Sequence, residues 1–205
     1  MSSTLTPPPR LTDKKRSAIL DAATAEFLAS GYDATSMDRI AERASVSKRT
    51  VYNHFPSKEA LFAAIMLALW DESEGDHALG YRSDTPLEPQ LLDLLERKLH
   101  LLNSESFLSL ARVAIAAGIH SPDRAREMVA RLGQREEDLT TWVRAAAADG
   151  RLRTPDPAFA AQQLQALVKG FAFWPQVTMG QAPLKRAEQK KIAKATAEMF
   201  LAAYG

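Results

Sequence analysis

Apolar residues along this chain recur at intervals of three and four, and two-residue alternation is not sustained anywhere, so the pattern predicts an all-α protein. In the first segment Ile19, Ala23 and Phe27 stack one turn apart and Leu20 widens the stripe; Thr12 stands where a cap would open the helix and Gly31 where a left-handed residue would close it. Later helices are announced by a small polar residue before proline. Thr85-Pro86 has Glu88 at capping-box spacing, while Ser121-Pro122 and Asp156-Pro157 put proline at a first helical position. Stops are expected at Gly80, at Gly118 to His120, at Gly150 and at Gly180. The pattern therefore predicts about nine helices, over 12–30, 37–44, 47–54, 57–80, 87–103, 105–118, 122–149, 156–179 and 184–204. Short helices lead and long ones follow. The chain divides accordingly into a leader over 1–11, a front module over 12–74 and a larger helical domain over 75–205, with the boundary inside the helix that starts near Ser57.

Composition narrows the class without changing that picture. Hydrophobic residues are 46% and charged residues 25% of the 205, the balance of a folded protein with room for a sizeable core. No cysteine is present, which removes disulfide frameworks and thiolate metal sites and fits the cytoplasm. The opening "MSSTLTPPPR" has no apolar stretch and three consecutive prolines, so it reads as a disordered leader and not as a signal peptide. The longest apolar run, ending at Trp70, is about half of what a bilayer-spanning helix needs, so no membrane partner is expected. Net charge is +1, yet residues 10–58 hold nine Lys and Arg against six Asp and Glu. The basic excess sits at the front.

That front carries the chemistry. Residues 36–55 fit a helix-turn-helix: Ile40, Ala41 and Ala44 form the buried edge of the first short helix, Val46 plugs the turn, and Val51 and Phe55 hold the second helix from behind. Lys48, Arg49, Thr50, Tyr52 and His54 are then turned outward, a mixture of charge, hydroxyl and ring edge that suits phosphates and base edges in a major groove. Three helix starts converge here, at Thr35 or Ser36, at Ser47 and at Ser57, and free N–H groups at helix starts attract phosphate. Lys58 lies just inside the last. Lys14, Lys15 and Arg16 read as a solvated face, and packing of Tyr52 and His54 against the neighbouring helix is the alternative to DNA contact.

Residues 16–65 closely resemble the DNA-binding domain of the TetR/AcrR transcriptional regulators. The likeness lies in Phe27, Gly31-Tyr32, Thr35-Ser36-Met37, Ile40-Ala41, the Tyr52-Asn53-His54-Phe55 block and Ser57-Lys58-Glu59. The resemblance implies a dimeric repressor on a palindromic, double-stranded operator. By position it implies backbone contacts from Thr35, Ser36, Tyr52, His54 and Lys58, with Lys48, Arg49 and Thr50 facing the groove. Two residues depart from the family pattern. Ser45 stands where a turn glycine is usual, which costs about 1 kcal/mol if the backbone there is left-handed, and Arg49 replaces another frequent glycine and adds a long reading side chain.

Beyond Lys58 the reading rests on composition and a weaker likeness. Trp70, Phe107, Met128, Trp142 and Phe171, with His100 and Asn103 as hydrogen-bonding partners, are candidates for lining a cavity that takes a small hydrophobic or amphipathic effector. Phe159, Phe173, Trp174, Met179, Gln162 and Gln165 extend that set, ordinary core being the alternative for each apolar one. The stretch from 149, "DGRLRTPDPAFAAQQLQALVKGFAFWP", resembles the C-terminal domain of the AefR-like branch. In that family the last two helices of each subunit pair into a four-helix interface. Here Ala160, Leu164, Leu167, Phe171 and Trp174 would form one seam and Ile192, Thr196, Met199 and Phe200 the other, unless both pack only within the subunit. No cofactor or metal is implied. The four histidines lack metal spacing, and no nucleophile elbow, phosphate loop or dinucleotide fingerprint is present, so an enzyme is not expected. A constitutive DNA-binding activator or architectural protein without a ligand remains the alternative to a ligand-released repressor.

Overall fold

The computed structural model describes residues 11–74, 80–132 and 138–205. Among these residues the chain forms eleven helices and no strand. They are α1 (Leu11–Ala34), α2 (Met37–Arg43), α3 (Lys48–His54), α4 (Lys58–Glu74), α5 (Leu87–Leu102), α6 (Glu105–His120), α7 (Pro122–Leu132), α8 (Asp138–Ala148), α9 (Pro157–Ala172), α10 (Trp174–Thr178) and α11 (Arg186–Tyr204). The expected leader before residue 11, the far end of the helix expected to reach Gly80 and the middle of the one expected over 122–149 lie outside the described residues. No described helix is long and apolar enough to cross a membrane.

Two compact units result, and neither is a single run of chain. The first joins the residues up to Met66 with Val113–Arg131; the second joins Leu67–Arg112 with Leu132–Gly205. In the first, the predicted stripe of Ile19, Ala23 and Phe27 is fully buried, together with Ile40, Ala41, Val51, Phe55, Leu61 and Phe62. Phe27 stacks on Tyr32 at 5.5 Å and meets Phe62 edge-on at 5.0 Å, so three rings close the centre of the unit. Gly31 kinks α1 with φ 74° and ψ 175°, a backbone region that is nearly glycine's alone, which is why the stripe ends there. Thr12, expected as a cap, is inside the first turn of α1. Gly118, expected as a stop, lies within α6; a Cβ there would come within 3.2 Å of the Ala125 Cβ, so its role is to let α7 approach.

The second unit is organised by buried polar side chains as much as by apolar ones. Gln90 in α5 is buried, and its amide donates to the carbonyls of Thr85 at 2.8 Å, Arg82 at 2.9 Å and Pro86 at 3.1 Å, while its oxygen accepts from the Arg82 N–H and from Trp142 Nε1. Arg151 reaches the same loop, donating to Thr85 and Ser83. The expected Thr85 capping box is therefore not formed. Pro86 takes the N-cap position of α5 without a side-chain bond, and Gln90 satisfies the loop instead. Ser121 and Asp156 do cap as expected, accepting from Arg124 N–H at 3.4 Å and Phe159 N–H at 3.0 Å.

The helix expected over 156–179 breaks at Phe173, whose φ and ψ are −134° and −63°. Pro175 has no N–H to give the carbonyl of Phe171 four residues back, and the Gln176 side-chain amide supplies that bond at 3.2 Å. Gly150 and Gly180 end α8 and α10 with positive φ, as their positions predict.

Candidate nucleic-acid interface

The turn between α2 and α3 is built by hydrogen bonds that leave α3 fixed and its outer face free. Ser36 caps α2 by accepting from Arg39 N–H at 3.2 Å. At the other end Ser45 N–H bonds Glu42 O and Val46 N–H bonds Ala41 O, both at 3.0 Å, the two reversed bonds of a Schellman turn. That motif puts Ser45 in the left-handed region, and its φ is 53°, as its place in the turn predicts. Ser45→Gly should raise the unfolding free energy by about 0.5–1 kcal/mol, read by urea denaturation, because glycine adopts this conformation without a Cβ clash. Ser47 then caps α3, accepting from Thr50 N–H at 3.1 Å and sharing a hydroxyl bond with Thr50 at 2.8 Å; Ser57 caps α4 through Ala60 N–H at 3.1 Å.

With Val51 and Phe55 buried behind α3, Lys48, Arg49, Tyr52 and Asn53 are exposed and Thr50 and His54 half-buried. Tyr52 is 49% exposed, so packing does not consume it. Lys48 is held 2.5 Å from Asp38 of α2, whereas Arg49 makes no ion pair among the described residues. Two further cations are committed behind this face. Arg39 and Arg43 bind the two oxygens of Glu26 at 2.7 and 2.8 Å, a buried carboxylate on α1 that sequence reading passed over because its stripe position is polar. Arg16 lies 5.3 Å over the Phe55 ring.

Two residues matched to phosphate contacts are otherwise engaged. Thr35 is 2% exposed, and its hydroxyl donates to the Gly31 carbonyl at 2.7 Å with the Glu26 carbonyl at 3.1 Å. Lys58 donates to the carbonyls of Tyr32 at 2.7 Å, Thr35 at 3.0 Å and Asp33 at 3.3 Å, which uses all three of its N–H groups. Partial burial pulls its pKa below the ordinary lysine value, with Arg124 adding to the fall and Asp33 and Glu59 opposing it. Lys58 thus fastens the segment that leads into α2.

The same segment is held from a second direction. Tyr32 donates its hydroxyl to Glu59 at 2.7 Å, and Arg124 of α7 donates to Asp33 at 2.6 Å with its guanidinium 5.1 Å from the Tyr32 ring. Burial, and then the bond to the Glu59 carboxylate, push the Tyr32 hydroxyl above the ordinary tyrosine value. Burial alone would raise Glu59, but the bonds from Tyr32, its own N–H and Ser57 outweigh it and hold the carboxyl below the ordinary glutamate value. A depressed carboxyl stabilises the fold above its unfolded pKa and loses that contribution as pH falls through the folded one. Tyr32→Phe should therefore cost about 1.5 kcal/mol at neutral pH, and its deficit against the parent protein should shrink on acidification below the ordinary glutamate range, followed by denaturation across pH.

Of the residues expected to line one cavity, Met128 belongs to the first unit and Trp70, His100, Asn103, Phe107, Trp142 and Phe171 to the second. Met128 is buried in the first unit, and Trp142 is core, with its N–H on Gln90. Asn103 is structural, donating to Leu99 O at 2.7 Å and accepting from Leu184 N–H at 2.8 Å. His100 is exposed, Trp70 carries Lys98 4.0 Å over its ring, and Phe107 is buried 6.2 Å from Phe173. The seam residues separate as well. Ala160, Leu164, Thr196 and Phe200 are buried within the subunit because they form the inner faces of α9 and α11, while Phe171 and Met199 are 56% and 60% exposed and Trp174 also faces outward. Leu167 and Ile192 are half-buried at the edge. Phe171 and Met199 line an open apolar groove of about 670 Å³ with Ala166, Gly170 and Ala203, which continues past Leu167 and Phe171 into one of about 330 Å³ beside Ile192 and Ala195. No group of three or more potential ligands to a metal occurs among the described residues.

Set beside known proteins, residues 19–65 match the family described as bacterial regulatory proteins, tetR family, and residues 89–205 match the C-terminal domain of AefR-like transcriptional repressors. A TetR family transcriptional regulator from Pseudomonas syringae pv. tomato str. DC3000 superposes with a TM-score of 0.74 at 51% identity, over 95% of this chain and 98% of that one. The flavonoid-responsive regulator FrrA does so with a TM-score of 0.73 at 30% identity, over 94% and 97%. The HTH-type transcriptional regulator YhgD of Bacillus subtilis (strain 168), itself uncharacterized, is 30% identical over 149 residues, 67% of this chain and 69% of its own length.

Proposed function

Because this chain belongs to the TetR family, and so is a DNA-binding transcriptional regulator and not an enzyme, we propose that it is a dimeric repressor that reads an inverted repeat and is released by a small effector. The observation that carries this is the outer face of α3, where Lys48, Arg49 and Tyr52 stand clear of a core that Val51 and Phe55 anchor. Arg49 is the base reader and Tyr52, with the helix starts at Ser36 and Ser47, binds the backbone; Thr50 and His54 flank them. Two copies joined through the apolar groove of α9 and α11 would set their α3 helices about 34–36 Å apart, one turn of B-DNA. Functionally, residues 12–74 serve DNA binding and 75–205 serve ligand binding and dimerisation, in the cytoplasm.

The effector is hydrophobic or amphipathic, and the likeness to a flavonoid-responsive regulator makes hydroxylated aromatics the first class to test. Release requires that the effector favour a state with a different half-site spacing, moved through α4, since a ligand shifts an equilibrium only by its differential affinity. The test is selection of bound sequences from random DNA at two salt concentrations, because phosphate contacts alone are strongly salt-dependent. An inverted repeat is expected. Recovery of unspecific, salt-sensitive binding alone would overturn the repressor in favour of an architectural protein.

A further inference from the structure

An exposed ion pair ties together the two helices of the helix-turn-helix. Ser36 and Ser47 cap α2 and α3, which puts Asp38 in the first turn of α2 and Lys48 at the start of α3, and their side chains meet at 2.5 Å. The lysine is 65% and the aspartate 56% exposed, whereas the Glu26 side chain that holds Arg39 and Arg43 is 6% exposed. A pair this exposed contributes little to folding stability, so the fold does not account for it. Helix stability does not account for Lys48 either, because a cation in a first turn faces the positive end of the helix dipole. Asp38 has no other partner among the described residues, and Arg49, next to Lys48, makes no ion pair among them. The pair therefore neutralises a compact charge suited to phosphates and leaves unpaired the planar guanidinium suited to a base edge.

We infer that Asp38 is a specificity-determining residue of the DNA reader, holding Lys48 back from the DNA backbone so that binding depends on what Arg49 meets in the groove. This rests on the reading that α3 enters the major groove. Binding to non-operator DNA is almost wholly phosphate attraction, and there a freed lysine on its flexible stem takes any phosphate within reach. On the operator, base contacts set α3 in one register, so a freed Lys48 gains only what lies beside it. Asp38 thus weakens the wrong complexes more than the right one, a penalty set against competitors rather than a contact made to the target. It is a positioning residue, since its effect passes through Lys48 and requires no contact between its carboxylate and DNA.

The test is Asp38→Asn, which keeps the shape and polarity of the side chain and removes its charge, measured by fluorescence anisotropy of a random-sequence duplex over a series of salt concentrations. At low salt the variant should bind this duplex about two- to fivefold more tightly for each subunit that docks, the size of an exposed ion pair. The slope of log affinity against log salt should steepen by about 0.9 for each such subunit, one added phosphate contact. In sequence selection the variant should recover less uniform sites than the parent. A merely structural loss would weaken DNA binding, so weaker binding or an unchanged slope would overturn the inference. Lys48→Gln supplies the second arm: in that background Asp38→Asn should leave the slope where it was. The same gain there would make Asp38 a direct repeller of phosphate and overturn the role given to Lys48. The random duplex decides this whether or not an inverted repeat is recovered, so failure of the repressor reading and failure of the inference are told apart.

Discussion

Phe171→Glu combined with Met199→Glu should leave a folded monomer whose operator affinity is lower by about a hundredfold or more, the gain that joining two binding modules supplies. Both side chains are more than half exposed in the single subunit, so a carboxylate there meets water and costs the monomer little. In a dimer closed through this groove each substituted position becomes a buried charge opposite another carboxylate, which a mainly apolar interface cannot compensate. Alanine and glycine at 166, 170, 195 and 203 strengthen the argument, because they let two helix pairs approach closely around the larger side chains. Sedimentation gives the oligomeric state and a gel-shift titration the affinity. A variant that still sediments as a dimer would remove α9 and α11 from the interface.

Arg49→Ala should weaken operator binding by about 1–3 kcal/mol and relax base preference at one position in each half-site. The effect is assigned to Arg49 and not to Lys48 because Lys48 already has a carboxylate at 2.5 Å and would have to exchange it for DNA. Arg49 has no competing ion pair among the described residues, so its guanidinium can meet a guanine edge without giving up a bond. Selected sequences from the variant and the parent, compared position by position, are the measurement. Unchanged affinity and preference would mean that another element reads the operator.

The architecture was legible wherever local periodicity and capping decide it. The stripe on α1, the three serine caps at Ser36, Ser47 and Ser57, the strained Ser45 and the proline-led starts of α7 and α9 follow from residues within four positions of one another. What escaped depends on partners far along the chain. No local pattern shows that Lys58 donates to the carbonyls of Tyr32, Asp33 and Thr35. Asn103 reads as a possible ligand-facing amide and Gln90 carries no signal at all, yet each closes a loop that lacks its own helical bonds. The seam on α9 had the right period, but periodicity cannot tell the inner edge, where Ala160 and Leu164 lie, from the outer edge with Phe171, because both are apolar. The break at Phe173 had a sequence signal in Pro175, two residues on, that the apolar run around it obscured.

The first unit takes a late segment, Val113–Arg131, into its own core, with Met128 buried and Arg124 closing on Asp33. This bears on how such a gene can be recombined. A crossover after residue 66 that grafts this operator specificity onto a foreign sensor would leave behind the arginine and the methionine that complete the unit, and the chimera would inherit an unfinished DNA reader. Exchange of specificity by shuffling therefore has to carry two separate stretches of coding sequence at once. New operators should be easier to reach by point substitution on α3 than by trading whole front ends.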